Sequence, residues 1–175
     1  MKIEEYQKAE EYILKIVKDI TVKREIININ ITEVMAMLYS KIGDCEAKNI
    51  DFDIICSDSL KELPLNAEEI NSVLGNLIDN AIAELESVEV VNKSLWLEIN
   101  KYYDYYTIKV GNYGHISSDK IEKVFTSGYT TKENHQGLGL SIINEIISKH
   151  NGTIKIDNDH DNIVFTIRIP YRERV

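Results

Sequence analysis

The chain has 175 residues, enough for one domain of ordinary size with an appendage, and carries 29 acidic against 20 basic side chains. The resulting net charge of −9 argues against non-specific binding to nucleic acid and against contact of this segment with an anionic membrane. No apolar run is as long as a membrane span, no signal peptide opens the chain, and Cys45 and Cys56 make neither a metal-ligand spacing nor a disulfide framework, which fits a reducing, cytoplasmic setting.

Residues 2–23 read as a helix in which Tyr6, Ala9, Ile13, Ile16 and Ile20 recur by three and four. Such a short heptad seam is marginal alone, so it predicts a packing partner. Asn30 followed by Glu33 reads as a second helix start, with Ile31, Met35, Leu38, Ile42 and Cys45 lining one face down to about Lys48. "IDFDIIC" (50–56) alternates as a strand does. "LPLN" (63–66) leads into a long helix from 67 to about 87, opened by Asn66 with Glu69 three residues on. Strands follow at 95–102 and 105–112, joined by an Asp-containing turn, then a short helix around 117–124. The stretch 126–136 is polar and without period, a loop long enough to suggest a lid. A helix over 137–150 ends at Asn151-Gly152, and strands at 153–159 and 162–170 complete the chain. The pattern predicts an α+β fold, helices on one face of a mixed sheet. It divides the chain into a helical segment, 1–48, and a main domain, 49–175.

The long helix contains a contradiction. "GNLIDNAIAE" (75–84) sits within its apolar repeat, Ile70, Val73, Leu74, Leu77, Ile78, Ala81, Ile82 and Leu85, yet it carries Gly75, Asn76, Asp79 and Asn80, all poor helix formers. Asn76 and Asn80 lie four apart and share one stripe beside the apolar face. They are either solvated amides at a core edge or a polar site able to face a cation or ligand. "QGLGLS" (136–141) is a glycine-rich turn entering a helix, where the N–H groups of Gly137, Leu138, Gly139 and Leu140 can cradle phosphate. Thr130, Thr131 and Lys132 place hydroxyls and a cation just before it. In "VGNYGHIS" (110–117) a strand ends in glycines that serve either as a turn or as a floor for a flat ring.

Taken in order, "NLIDNA", a strand ending in a glycine-containing polar turn, "VFTSGYTTK" and "GLGLSIINEIISKHNGTI" resemble the catalytic and ATP-binding domain of sensor histidine kinases. They are similar to the wider superfamily shared with gyrase, Hsp90 and MutL, and in detail most like its quorum-sensing, accessory-gene-regulator type. The resemblance covers roughly residues 50–170. It implies a two-layer sandwich, the Bergerat ATP-binding fold, and ATP with Mg²⁺ as cofactors. Asn80 matches the Mg²⁺-ligating amide and Asn76 the polar residue one turn earlier, a second candidate at the metal. Lys132 and Thr131 would close over the γ-phosphate with Thr130 beside them, and Asn112 and Gly114 would meet adenine. The turn departs from the usual Asp-x-Gly-x-Gly: Asn112 replaces the carboxylate and Ile116 the second glycine. The four histidines are His115, His135, His150 and His160, so the first 50 residues hold no phosphoacceptor. The implied partners are therefore a dimerisation domain bearing the acceptor histidine, from which this chain would be a fragment, and a response regulator downstream. An anti-sigma-type serine kinase and a non-catalytic nucleotide-sensing module are the alternatives.

Overall fold

The computed structural model describes residues 2–89, 93–121, 124–125 and 138–171. "IDFDIIC" forms β1 (Ile50–Cys56), with Ile50, Phe52, Ile54 and Cys56 buried and the intervening residues exposed, the alternation of a half-buried strand. β2 (Lys93–Tyr102), β3 (Tyr105–Tyr113), β4 (Thr153–Asp159) and β5 (Asn162–Pro170) complete one sheet in the order β1-β2-β3-β5-β4. β1 runs parallel to β2 and every other neighbouring pair is antiparallel. A parallel pair needs a crossover, supplied here by the long helix α3 (Ala67–Ser87).

All eight apolar positions of the α3 repeat are buried. They pack on the sheet together with Ile143 and Ile147 of α5 (Gly139–Lys149). Between these helices in sequence lies α4 (Ser118–Ile121), a single turn. The result is the expected α+β sandwich, a mixed sheet with its helices over one face. No helix among the described residues is long and apolar enough to cross a membrane.

The N-terminal helices differ from expectation. α1 runs from Lys2 to Ile29, past the predicted end at 23, because Ile26 and Ile29 are fully buried in the same core as the sheet. Burial there outweighs the weak helix propensity of "IINI". Asn30 does not cap α2 (Thr32–Ala47). It takes φ +59° and turns the chain out of α1, while Ile31 occupies the cap position without a side-chain hydrogen bond. α1 also covers the open edge of β1. Glu25 accepts from the Cys56 N–H at 2.7 Å, Asn28 donates to the Cys56 carbonyl at 3.0 Å, and Lys18 pairs with Asp51 and Asp53.

α1 has a second apolar face. Ile13, Val17, Ile20 and Ile27 recur by four, three and seven on the side away from the domain and are 55–62% exposed. Ile13 and Ile20 belong to the predicted seam. The side chains of Tyr6, Ala9 and Ile16 lie outside the described residues.

The capping box that opens α3 forms as expected: the Asn66 side chain accepts from Glu69 N at 2.8 Å and Glu69 accepts from Asn66 N at 3.1 Å. Glu69 also receives Lys149 Nζ at 2.7 Å and His150 Nε2 at 3.1 Å, tying the start of α3 to the end of α5. Lys149 first, and then the Asn66 N–H and His150, hold its carboxyl at about 2, against an ordinary 4.5, despite its burial. A carboxyl depressed in the folded state stabilises above its unfolded pKa, and that stability disappears as pH falls through the folded value. Because Lys149 is solvated, the worth is expected to be about 1–2 kcal/mol. Glu69→Gln should lose that amount at pH 7, and urea unfolding curves of the two proteins should converge between pH 4.5 and 2.

Candidate functional site

The polar stripe of α3 and the start of α5 meet. A Cβ built on Gly139 would lie 2.8 Å from Asn76 Oδ1, so the glycine leaves room for that amide oxygen. The other end of the same carboxamide donates back to the Ser72 carbonyl at 2.7 Å, which fixes the direction in which the oxygen points. α5 begins at Gly139 after Leu138 with no side-chain cap, and its first described intrahelical bond runs from Ile142 N to Leu138 O. Among the described residues, the N–H groups of Gly139, Leu140 and Ser141 thus precede the helix ladder, an electropositive helix start beside Asn76. Asn80 stands one turn farther along α3, half-buried and already engaged in an interaction. Asp79, between the two asparagines, turns away and pairs with Lys41 of α2 at 2.5 Å.

The end of β3 supplies another wall. Asn112 is 3% exposed, and its Nδ2 donates to the Tyr113 carbonyl at 2.8 Å, which leaves its oxygen as the acceptor. The strand register sets Leu95, Asn112, Ile163 and Asn158 in one row across β2, β3, β5 and β4, with their side chains on one face. Gly114 has φ +149°, a region that favours glycine, and a Cβ there would meet Ile163 Cδ1 at 3.2 Å. The first glycine of the turn has a different reason. A Cβ on Gly111 would fall 2.3 Å from the Trp96 ring, so the flat ring that this glycine admits is the indole of its β2 partner. His115 is exposed.

Of the residues singled out in the sequence, Asn76 and Gly139 are in contact, Leu138 and Leu140 flank the same helix start, and Asn112 and Gly114 share the β3 turn. Thr130, Thr131, Lys132 and Gly137, with the rest of the 126–136 loop, lie outside the described residues. Sequence reasoning did not find Asn158. Its carboxamide takes the Ile116 N–H at 2.9 Å and donates to the Ile116 carbonyl at 2.8 Å. Nor did it find Asn71, whose buried Oδ1 has no hydrogen-bond partner among the described residues.

A helix start without a side-chain cap, helix-borne amide oxygens and a glycine turn under a buried amide are groups that could hold a nucleotide with its metal: N–H donors for phosphate, hard oxygen for Mg²⁺ and an acceptor for a base amine. The profile of the family described as histidine kinase-, DNA gyrase B-, and HSP90-like ATPases matches residues 66–173. Sensor protein CitS of Bacillus subtilis (strain 168) is 31% identical over 147 residues, which is 82% of this chain and 27% of that protein. Sensor histidine kinase ZraS of Salmonella typhimurium is 29% identical over 167 residues, 90% of this chain and 34% of its own length. The chain therefore spans about a third or less of these curated relatives. Among solved structures, the catalytic domain of histidine kinase ThkA in a nucleotide-free form superposes with a TM-score of 0.68 at 28% identity, covering 82% of this chain and 93% of that one. ThkA in complex with the response regulator protein TrrA gives 0.66, covering 83% of this chain and 41% of that one. The chain belongs to the family of histidine kinase-, DNA gyrase B-, and HSP90-like ATPases and carries the catalytic ATPase domain of a sensor histidine kinase.

Proposed function

We propose that this domain binds Mg-ATP between α3, the start of α5 and the β3 turn, and directs its γ-phosphoryl to a histidine outside this chain. The observation that carries the reading is the uncapped start of α5 against the amide oxygen of Asn76. When bound, ATP supplies the phosphoryl group and Mg²⁺ neutralises charge on it. The residues of the chain bind and orient. Asn80 offers an amide oxygen to the metal, with Asn76 as a second candidate, and the N–H groups from Gly137 to Leu140 offer hydrogen bonds to phosphate. Lys132, Thr131 and Thr130 are proposed to close over the γ-phosphate, and Asn112 with Gly114 to read adenine. No general base is required, because a neutral imidazole is already a nucleophile.

The acceptor histidine is proposed to lie on a dimerisation hairpin, with the exposed Ile13, Val17, Ile20 and Ile27 face of α1 as the surface it covers. A response regulator would take the phosphoryl group from it. The division at residue 48 remains a proposal of composition. Val22, Ile26, Ile29, Val34, Leu38 and Cys45 share one core with the sheet, so the two segments would act as one packed unit. Residence in the cytoplasm, as the inner part of a membrane sensor, is proposed with the function. The quorum-sensing branch is proposed only on the wording of "GNLIDNAIAE", "TTK" and "GLGL" and on Asn112. The relatives named above do not carry that label.

The test is phosphotransfer. The isolated chain with Mg-ATP should form no acid-labile phosphohistidine on His115, His135, His150 or His160. Adding a separate helical hairpin with an acceptor histidine should produce it there. Labelling mapped to one of this chain's own histidines would overturn the assignment. A finer test addresses Asn112. With its NH₂ group bound to Tyr113, its oxygen is the acceptor left for an adenine amine. Asn112→Ala should therefore weaken ATP by roughly 1 kcal/mol, about five- to tenfold, and erase any preference over GTP. Calorimetric titration with both nucleotides reads the two effects.

A further inference from the structure

We infer that Asn158, on the edge strand β4, is a positioning residue for the purine end of the site, an inference that rests on the reading of Asn112 and Gly114 as the adenine turn. The register row places Asn158 two strands from Asn112 on the same face, with Ile163 between them. Two strand spacings separate them by roughly 10 Å, too far for contact with a group held by Asn112. Asn158 acts instead on the backbone of the turn. Its Oδ1 accepts the Ile116 N–H at 2.9 Å and its Nδ2 donates to the Ile116 carbonyl at 2.8 Å.

One carboxamide that engages both main-chain groups of one residue imitates a strand pairing. It fixes the position of the chain at 116 and also its direction. The same hairpin holds the turn a second time, through Gly114 N to the Asp161 carbonyl at 2.9 Å, and Ile163 fills the space under Gly114. The segment 114–117 has no regular structure of its own, and His115 on it is exposed. Its path is therefore set by the β4–β5 hairpin, and Asn158 is the side chain that sets it. Ile116 stands where the resembled motif has a glycine. Here the backbone is clasped, and the Ile116 side chain packs against the core. The flexibility that a glycine would bring is replaced by a fixed turn.

The inference predicts a selective defect. In the full chain with Mg²⁺, Asn158→Ala should weaken ATP about five- to tenfold and leave tripolyphosphate binding unchanged. Asn158→Asp, which keeps the acceptor and loses the donor, should fall between. Amide exchange at Ile116 should be at least tenfold faster in Asn158→Ala than in the parent, a readout independent of nucleotide. Equal ATP affinity in the parent and Asn158→Ala, or an equal loss for ATP and tripolyphosphate, would overturn the positioning role alone. A parent that bound tripolyphosphate as tightly as ATP would overturn the adenine reading and this inference with it. Should Asn158→Ala not fold, Asn158→Asp with parent-like ATP affinity and parent-like exchange at Ile116 would also overturn it.

Discussion

Asn80→Ala is expected to remove the Mg²⁺-dependent part of nucleotide binding and to leave the fold intact. A hard cation bound mainly by phosphate and water takes few protein ligands, so each one counts. Loss of an oxygen that contacts a charged centre should cost roughly 1.5–3 kcal/mol, about ten- to a hundredfold in affinity. Helix propensity works in the opposite direction. Alanine is a better helix former than asparagine by a few tenths of a kcal/mol, and α3 is anchored by eight buried apolar side chains that the change does not touch. The interaction that Asn80 already makes would be forfeited, so stability should stay within about 1 kcal/mol of the parent. Titration of ATP with Mg²⁺ and with EDTA, beside a thermal melt, separates the two roles. A variant that unfolds, or one that keeps its Mg²⁺ dependence, would make Asn80 a structural residue. Asn76→Ala should behave more mildly, because its oxygen lies at the helix start and its loss leaves the N–H groups of α5 in place.

The elements that were legible in the sequence are those whose signal is local. The period of α3 and its Asn66/Glu69 box lie within a few residues of each other, and both appear as read. Alternation in "IDFDIIC" likewise needs no partner to be recognised. Where a residue's role depends on tertiary contact, the local signal misleads. Asn30 and Glu33 have the spacing of a cap, yet Asn30 spends its tolerance of positive φ on leaving α1. Both uses suit asparagine, and only the burial of Ile26 and Ile29 decides between them. Gly111 was legible as a place where a ring approaches, but not as the place for Trp96, because that requires the β2–β3 register.

The candidate site divides along the same line. Asn76, Asn112 and Gly139 stand out as residues that weaken or interrupt their own elements, which a reader of one sequence can see. Asn158 weakens nothing. It is a polar residue near a hairpin turn, 42 residues from the backbone it holds, and its surroundings in sequence are as polar as itself. A clasp between distant segments has no periodicity to announce it. Gly75 remains unaccounted for: no described atom beyond its chain neighbours and its own helix backbone comes within 4 Å of a Cβ built there, and nothing among the described residues explains it.

Gly152→Ala should be strongly destabilising. α5 ends in a Schellman turn, with Asn151 at φ +55°, Asn151 N bonded to Ser148 O at 3.0 Å and Gly152 N to Ile147 O at 2.9 Å. The chain then enters β4 at once, and Thr153 pairs with Arg168 of β5. A Cβ at 152 would lie 2.8 Å from the Arg168 carbonyl oxygen, 2.8 Å from Ile147 Cγ2 and 3.1 Å from the Ile147 carbonyl oxygen. Two of these are main-chain atoms, one in a helix and one in a strand, and Ile147 is fully buried, so no flexible side chain can give way. Relief requires moving α5 against the sheet. Overpacking of this kind costs about 2–3 kcal/mol, which for a chain of this size is roughly 5–10 °C in Tm. Gly43→Ala is the control. It sits inside α2 with nothing within 4 Å of the new methyl group, and should raise stability by up to about 1 kcal/mol. Thermal and urea unfolding of both variants gives the comparison, and equal, small effects would mean that the α5–β4 junction is loose. Because α5 also carries the N–H groups beside Asn76, Gly152→Ala should weaken Mg-ATP even at temperatures where it remains folded, through displacement of a helix whose other end is proposed to hold the phosphates.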